Sequence, residues 1–232
     1  MDRKTVFGLT SLILIMLAFA ILIPGGKAPD TNPKLPWDIR VTSSGAVEVF
    51  GLILGKSTLS DVQAMLRERG KTSLFVSPEN NHYIESYFES MTLSGIKASF
   101  VITLNVDQPL AQEMFKRGLR MKSLATGNKQ VSLTSEDIDN LGSATIDHIT
   151  YIPVANLDEA MIQGRFGEPK FKLPDEEAGV MHWLYPDKGL DIAIHTEGKE
   201  VIQYIRPSDF GRILEPLRAM QQAVNTENGV NQ

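Results

Sequence analysis

Two runs of strand composition flank a short turn in YIESYFESMTLSGIKASFVITLNV, residues 83–106. In the first run, two sets of side chains alternate with the two-residue period of a half-exposed strand. The sets are Tyr83, Glu85, Tyr87 and Glu89 against Ile84, Ser86, Phe88 and Ser90. The second run is rich in β-branched and aromatic residues, and Ser94-Gly95 forms a compact turn between the two. With the preceding run TSLFVS, residues 72–77, the pattern predicts an antiparallel three-stranded meander.

A short capped helix is predicted directly before this meander, in GLILGKSTLSDVQAMLRERGK, residues 51–71. Thr58 is a candidate N-cap, and the carboxylate of Asp61, three residues later, favours the exposed N–H groups of the first turn. Gly70 can adopt the left-handed conformation that ends a helix. The apolar residues at helical spacing are Leu59, Val62, Met65 and Leu66. The segment therefore predicts a helix that packs one face against the strands that follow.

A second unit of the same order follows in the C-terminal half of the chain. Asn156 is a candidate N-cap with Glu159 three residues later, and Gly167-Glu168-Pro169 is expected to end the helix. Turn sequences at residues 186–189 and 196–199 then separate three runs of strand composition. No single offset aligns both ends of the two helices. An internal repeat and the independent use of a common unit therefore both remain open.

The segments LGKSTLSDVQAMLRERG (residues 54–70) and NLDEAMIQGRFGEPKF (residues 156–171), with the strands after them, resemble the SmpA/OmlA family of bacterial envelope proteins. That family includes the outer-membrane assembly lipoprotein E, and a tandem of such units is also the build of β-lactamase-inhibitory proteins. The resemblance implies small α+β modules for protein–protein contact, without catalysis. Two features depart from the family pattern. The chain lacks the cysteine that anchors its lipoproteins, and Gly70 is followed by Lys71-Thr72 instead of x-Pro.

The N-terminus predicts a membrane anchor. Residues 6–23 are apolar except for Gly8, Thr10 and Ser11, and 18 helical residues span about 27 Å, close to the thickness of the hydrocarbon core. Arg3 and Lys4 precede the segment, which favours a cytoplasmic N-terminus and an exported remainder. A cleaved signal peptide, with its site at residues 18–20, is the alternative. The apolar residues that directly follow that site favour the uncleaved anchor.

The predicted fold class is α+β, with an N-terminal single transmembrane helix followed by two helix-plus-antiparallel-three-stranded-meander modules. The domain boundaries follow from the composition. They are a transmembrane anchor at residues 1–27, a Gly- and Pro-rich linker at 28–36, a first module at 37–130, a second module at 131–214, and a C-terminal helix with a disordered tail at 215–232.

The sequence predicts no catalytic, cofactor-binding or metal-binding residues. The chain has no cysteine, which excludes thiol chemistry and thiolate metal sites. The four histidines, His82, His148, His182 and His195, do not occur at the spacing of a metal site. Gly55-Lys56-Ser57 resembles the end of a phosphate-binding loop, but Phe50 stands where the first glycine of that loop belongs. With a formal net charge of −5, the chain is also a poor candidate for nucleic-acid binding.

These features predict a non-catalytic protein–protein interaction or scaffold module of the bacterial cell envelope. It is held in the inner membrane by residues 6–23, with its C-terminal part in the periplasm and another envelope protein as its partner. The predicted interaction surface is Trp183, Tyr185, Tyr204 and Arg206, since exposed aromatic and arginine side chains are typical of binding hot spots. For Trp183 and Tyr204, packing in the core is the alternative. A periplasmic binding module for a small or lipidic ligand is the second function, and an enzyme is the third.

Overall fold

The computed structural model describes residues 32–195 and 198–230, with side chains up to residue 223. The predicted transmembrane anchor, residues 1–27, lies outside the described residues. Among the helices that are described, none combines the length and the apolar character needed to cross a membrane.

The predicted fold class is wrong, because the described chain is mostly sheet and its two meanders share one sheet. Ten strands form an antiparallel sheet, and three short strands form a second sheet. The strands are β1 (Arg40–Val41), β2 (Val47–Val49), β3 (Leu52–Ile53), β4 (Lys71–Val76), β5 (His82–Leu93), β6 (Ile96–Leu104), β7 (Arg120–Ser123), β8 (Lys129–Ser132), β9 (Ile146–Pro153), β10 (Phe171–Asp175), β11 (Val180–Tyr185), β12 (Leu190–His195) and β13 (Val201–Tyr204). The helices of the described residues are α1 (Leu59–Leu66), α2 (Gln108–Lys116), α3 (Ser135–Asn140), α4 (Glu159–Phe166) and α5 (Gly211–Val230).

Strand β9 joins the two meanders, and no sequence pattern predicted it. Across the large sheet the order is β10-β11-β12-β13-β9-β6-β5-β4-β8-β7. Ile149 of β9 lies opposite Ile102 of β6 on one side and Tyr204 of β13 on the other. An unpaired strand edge leaves N–H and C=O groups without partners, and β9 satisfies one edge of each meander. The second meander also has four strands, β10 to β13, where three were predicted.

The first helix confirms the predicted N-cap and corrects the predicted end. Thr58 and Asp61 form a capping box, in which the Thr58 side chain accepts from the Asp61 N–H and the Asp61 carboxylate accepts from the Thr58 N–H. The helix ends before Gly70, however, because Arg67 already has the left-handed conformation at the C-cap. Gly70 has a φ of +69°, and a Cβ there would lie 2.8 Å from the ring of Phe88. The glycine therefore allows the chain to cross over that ring on its way into β4.

The fourth helix shows the opposite pattern, with a confirmed end and a different start. Asp158 caps α4 by accepting a hydrogen bond from the N–H of Met161, whereas Asn156 was the predicted cap. Gly167 is the C-cap residue, as predicted, with a φ of +83°. A carboxylate favours the positive end of the helix dipole more than a neutral amide does, which accounts for the position of the cap.

The main core lies on one face of the large sheet, which we call the core face. It packs against the small sheet and against α1, α2 and α4. Four aromatic rings meet at its centre, where Phe50 lies 5.4 Å from Phe100 and Tyr151 and 5.5 Å from Tyr204, between ring centroids. On the opposite face, a smaller apolar cluster holds α5 over the β10 and β11 end of the sheet.

The rest of that opposite face carries side chains that are mostly half-buried and that alternate with the core residues along β4, β5, β6 and β9. We call this surface the open face. Its members are Ser73, Phe75, Tyr83, Glu85, Tyr87, Ser99, Val101, Thr103, His148, Thr150 and Ile152. An antiparallel sheet can direct one face to a core and the other to water, and the central strands of this sheet do so.

Candidate interaction surface

Three of the four predicted interaction residues are buried. Trp183, Tyr185 and Tyr204 are 2%, 3% and 0% exposed and belong to the main core. The hydroxyl groups of the two tyrosines are satisfied internally, because Tyr204 donates to the carbonyl of Pro36 at 2.8 Å and Tyr185 to that of Gly167 at 2.9 Å. Burial also raises the pKa of Tyr185 to about 12, with a further contribution from the charge of Glu168. Trp183 and Tyr204 are thus in the core, as the alternative in the sequence analysis proposed for these two residues.

Arg206, the fourth predicted residue, lies elsewhere and is held by carboxylates. Its Nη2 atom is 2.6 Å from Asp209 and 3.4 Å from Asp147. Asp147 also receives a hydrogen bond from Arg212 at 2.8 Å. The two arginines thereby tie the start of α5 to the start of β9. The guanidinium of Arg206 is therefore already paired within the fold, and binding a partner through it would compete with these ion pairs.

The open face carries three aromatic side chains, Phe75, Tyr83 and Tyr87, of which the two tyrosines belong to one of the two sets that alternate along the predicted strand. The rings of Phe75 and Tyr83 stack with centroids 5.5 Å apart and an interplanar angle of 14°. Asn128 donates a hydrogen bond to the Tyr83 hydroxyl at 3.0 Å. Tyr87 lies beside Val101 and directs its hydroxyl to Ser99 at 3.4 Å. Rings of this kind combine apolar area with a polar end, as in many protein–protein interfaces.

A polar row crosses the open face beside these rings. Glu85, Thr103 and His148 occupy facing positions on β5, β6 and β9. Thr103 Oγ1 lies 2.9 Å from His148 Nε2. Its hydroxyl has one proton, which it can donate to Glu85 or to His148 but not to both. Burial raises the pKa of Glu85, while the charge of His148 and the hydrogen bond with Thr103 oppose the shift.

The row continues to Asp147, whose partners His148 and Arg212 both line a cavity of about 180 Å³. His148 Nδ1 lies 3.3 Å from Asp147 Oδ2. The hydrogen bond from His148 lowers the pKa of Asp147 well below its ordinary value against the cost of burial, and Arg212 adds to the effect. A negative charge is thus held among positive partners on the outer side of the sheet.

Asp147 contacts His148, and His148 contacts Thr103. This sequence of an acid, a base and a hydroxyl group is also found in a nucleophilic triad. Thr103 is only 6% exposed, and Glu85 and His148 flank it on the neighbouring strands. A nucleophile needs space for a reacting atom about 3 Å away, so a buried strand threonine is poorly placed for this role. The arrangement is better explained as a hydrogen-bonded row that orients the open face. The sequence shows only the Asp147-His148 pair, since the third member depends on the register of β6 against β9.

A second histidine–carboxylate pair lies between β11 and β12. His182 Nδ1 is 3.0 Å from both carboxylate oxygens of Asp191, which is 1% exposed. Burial lowers the pKa of His182, but the hydrogen bond and the charge of Asp191 outweigh it and the pKa is raised. Within the described part of the chain, no three His, Cys, Asp or Glu side chains are grouped closely enough to hold a metal ion. The short distances and the burial of Asp191 make the pair a polar contact between neighbouring strands of the sheet.

An apolar cavity of about 210 Å³ opens at the other end of β9, on the core side. Trp37, Leu157, Met161 and Phe166 are among the residues that line it. Arg165 stands beside it, with Cζ 4.5 Å from the centre of the Trp37 ring. A cavity with such a lining is suited to an aliphatic group.

Comparisons with known proteins found no matching family model, no similar curated protein and no similar solved structure. The resemblance to the SmpA/OmlA family stays a prediction from the quoted segments.

Proposed function

We propose that the chain is a membrane-tethered periplasmic interaction module of the bacterial cell envelope that binds another envelope protein without catalysis. The observation that carries this proposal is the open face. It places Phe75, Tyr83 and Tyr87 on a sheet surface that the main core does not use. The apolar segment at residues 6–23 supports the tether and the exported orientation.

The chemistry of the open face favours a protein partner. Its rings supply apolar area, while Glu85, His148 and the hydroxyl groups of Ser99 and Thr150 supply donors and acceptors around them. A mixture of this kind is typical of transient interfaces, which are about as apolar as the rest of a protein surface and depend on a few aromatic residues. The acidic balance of the chain, at −5, disfavours nucleic acid as the partner.

The test is affinity purification of the full chain, in detergent, with Val101→Lys as the variant. Val101 is half-buried at the centre of the open face, opposite Tyr87 and Thr150. A lysine there places a charge against the apolar part of the surface. We expect a stoichiometric envelope protein to be captured by the wild type and lost by the variant.

The matched control is Val41→Lys, since Val41 is 41% exposed on β1 of the small sheet. It makes the same substitution away from the open face and is expected to keep the partner. Thermal unfolding of both variants checks that they fold. Capture of the same partner by a folded Val101→Lys variant would overturn the proposal.

The apolar cavity favours a second candidate, a periplasmic binding module for a small or lipidic ligand. The test is mass spectrometry of small molecules extracted from the purified full chain, with Leu157→Trp as a variant that fills the cavity. Leu157 lines the cavity beside Met161. A lipid that co-purifies with the wild type, is absent from the variant, and comes without a protein partner would favour this second function.

A further inference from the structure

The two edges of the large sheet, β7 and β10, differ in how they are protected. Strand β10 contains Pro174, which has no N–H to offer, and α5 packs against it. Its Phe171 and Leu173 pack in the smaller apolar cluster. Strand β7 has no proline, and all four of its residues are exposed. Only β8 pairs with it among the described strands, so the other side of β7 is an open edge.

The backbone groups at this open edge follow from the register of the hairpin. Leu124 donates to the carbonyl of Asn128 at 2.8 Å, next to the opposed pair Ser123 and Lys129. In an antiparallel ladder, bonded and non-bonded pairs alternate. The N–H and C=O groups of Met121 and Ser123 therefore point away from β8, toward the open edge. They are available to an added strand.

The hairpin is basic within an acidic chain. Residues 114–135 contain Lys116, Arg117, Arg120, Lys122 and Lys129 and no acidic residue, while the whole chain has a net charge of −5. Lys116 pairs with Glu113 and Arg117 with Asp137. Among the described residues, Arg120 and Lys122 take part in none of the ion pairs.

The two sides of β7 differ in chemistry. Of the large apolar side chains that the structure describes, Leu119 and Met121 are the most exposed, at 70% and 54%. Because side chains alternate along a strand, Arg120 and Lys122 point to the opposite side from Met121. Arg120 is in register with Ser132 of β8 and, through it, with Ser73 of the open face. A strand added here would thus meet the positive charges of Arg120 and Lys122 on the open-face side and the exposed side chain of Met121 on the other.

We propose that the edge of β7 binds an extended segment of the partner protein in which acidic and apolar side chains alternate, as an eleventh strand of the sheet. This inference rests on the proposed function and names the kind of segment that the partner supplies. Main-chain hydrogen bonds to Met121 and Ser123 provide affinity, and Arg120 and Lys122 select the acidic side chains. The same positive charges repel the β7 edge of a second copy, which favours a different, acidic occupant.

The probe is a fluorescein-labelled Val-Glu-Val-Glu-Val-Glu peptide with blocked ends, titrated with the full chain in a nonionic detergent and followed by anisotropy. We expect saturable binding that weakens as salt is raised. The basic peptide Val-Lys-Val-Lys-Val-Lys is expected not to bind. The double variant Arg120→Glu/Lys122→Glu should weaken binding at least about tenfold. Lys97→Glu, at an exposed lysine of β6, makes the same type of change elsewhere and should leave binding unchanged.

Met121→Pro tests the backbone directly. It removes an N–H that faces the open edge and leaves the hydrogen bonds between β7 and β8 in place. We expect it to abolish peptide binding, whereas Met121→Ala, which removes only the side chain, should weaken binding less. Far-ultraviolet circular dichroism verifies that each variant is folded. Wild-type affinity in a folded Met121→Pro variant would overturn the inference. The inference would also be overturned if the wild type did not bind the peptide and the charge variant self-associated. The charges of Arg120 and Lys122 would then act only to prevent edge-to-edge association.

Partner capture separates this inference from the proposed function. If Val101→Lys loses the envelope partner and both Met121→Pro and the charge variant retain it, the open face binds the partner and the edge of β7 does not. If all of these variants retain the partner, both proposals fail.

Discussion

The two faces of the large sheet are formed by the same strands, yet their side chains have different surroundings. On β6, Phe100 and Ile102 are 1% and 0% exposed on the core face, while Val101 between them is half-buried on the open face. One residue along the chain thus separates a position that is fully buried in the core from one that is partly accessible to solvent. A single strand of this sheet therefore places its side chains in two different environments, with a period of two residues.

The faces also differ in their polar groups. On the core face, the buried hydroxyl groups of Tyr204 and Tyr185 donate hydrogen bonds to backbone carbonyls. The outer side holds the row from Glu85 through Thr103 and His148 to Asp147, whose carboxylate meets Arg206 and Arg212. Substitutions on the core face should therefore act through lost packing, and those on the outer side through charge and pH.

The largest effect is expected for Phe100→Ala on the core face. Phe100 packs against Phe50 and Tyr151 at centroid distances of 5.4 and 5.1 Å, so its removal leaves a cavity among rings. The free energy of unfolding should fall by about 3–5 kcal/mol. Urea denaturation followed by fluorescence measures the change. The matched variant Val101→Ala, one residue away, should lose less than about 1 kcal/mol, and equal losses at the two positions would break the comparison of the faces.

An intermediate effect is expected for Asp147→Asn. Its carboxylate accepts from Arg212 at 2.8 Å, and replacing it leaves a guanidinium without its charged partner. We expect a loss of about 1–3 kcal/mol at pH 7. Because the folded-state pKa of Asp147 is lowered, its contribution is present above the unfolded value of about 4 and is lost as the pH falls through the folded value.

Unfolding of the wild type and the Asp147→Asn variant between pH 7 and pH 2 tests this dependence. The difference between the two should shrink in acid. Asp187→Asn is the control, because the Asp187 side chain is 83% exposed and forms only a surface ion pair, with Lys170 at 3.5 Å. If the difference in free energy of unfolding between the wild type and Asp147→Asn stays constant over the whole pH range, the charge of the carboxylate does not account for its contribution.

The smallest effect is expected for Glu85→Gln on the open face. Because burial raises the folded-state pKa of Glu85, the protonated form favours the folded state. That contribution is fully present below the unfolded pKa of about 4.3 and is lost as the pH rises through the folded value. The glutamine variant should therefore be more stable than the wild type at pH 7, by less than about 1 kcal/mol, and equal to it below about pH 4. Paired thermal melts at pH 7 and pH 3.5 measure the difference, and a variant that is less stable at pH 7 would contradict the assignment.

Local features of this protein were predictable because a few neighbouring residues determine them. Thr58 and Asp61 cap α1, Gly167 closes α4, and Tyr83 and Tyr87 alternate with buried residues of β5. Each of these depends on hydrogen bonds or sterics within a turn of helix, or on the alternation of a strand. The ends that were mispredicted, at Gly70 and Asn156, lie within three residues of the observed caps, where competing residues such as Arg67 and Asp158 decide the outcome.

The sequence by itself determined the start of α1, the end of α4, the two-residue alternation along the strands, and the N-terminal apolar segment that predicts an anchor. Only the tertiary structure decided that the two meanders share one sheet through β9, and that Trp183 and Tyr204 are buried. It also decided that Thr103 meets His148 and that β7 is an open edge. The physical reason is that strand pairing joins residues far apart in the chain. Which strand satisfies which edge, and in which register, depends on the whole set of strands and not on any one segment.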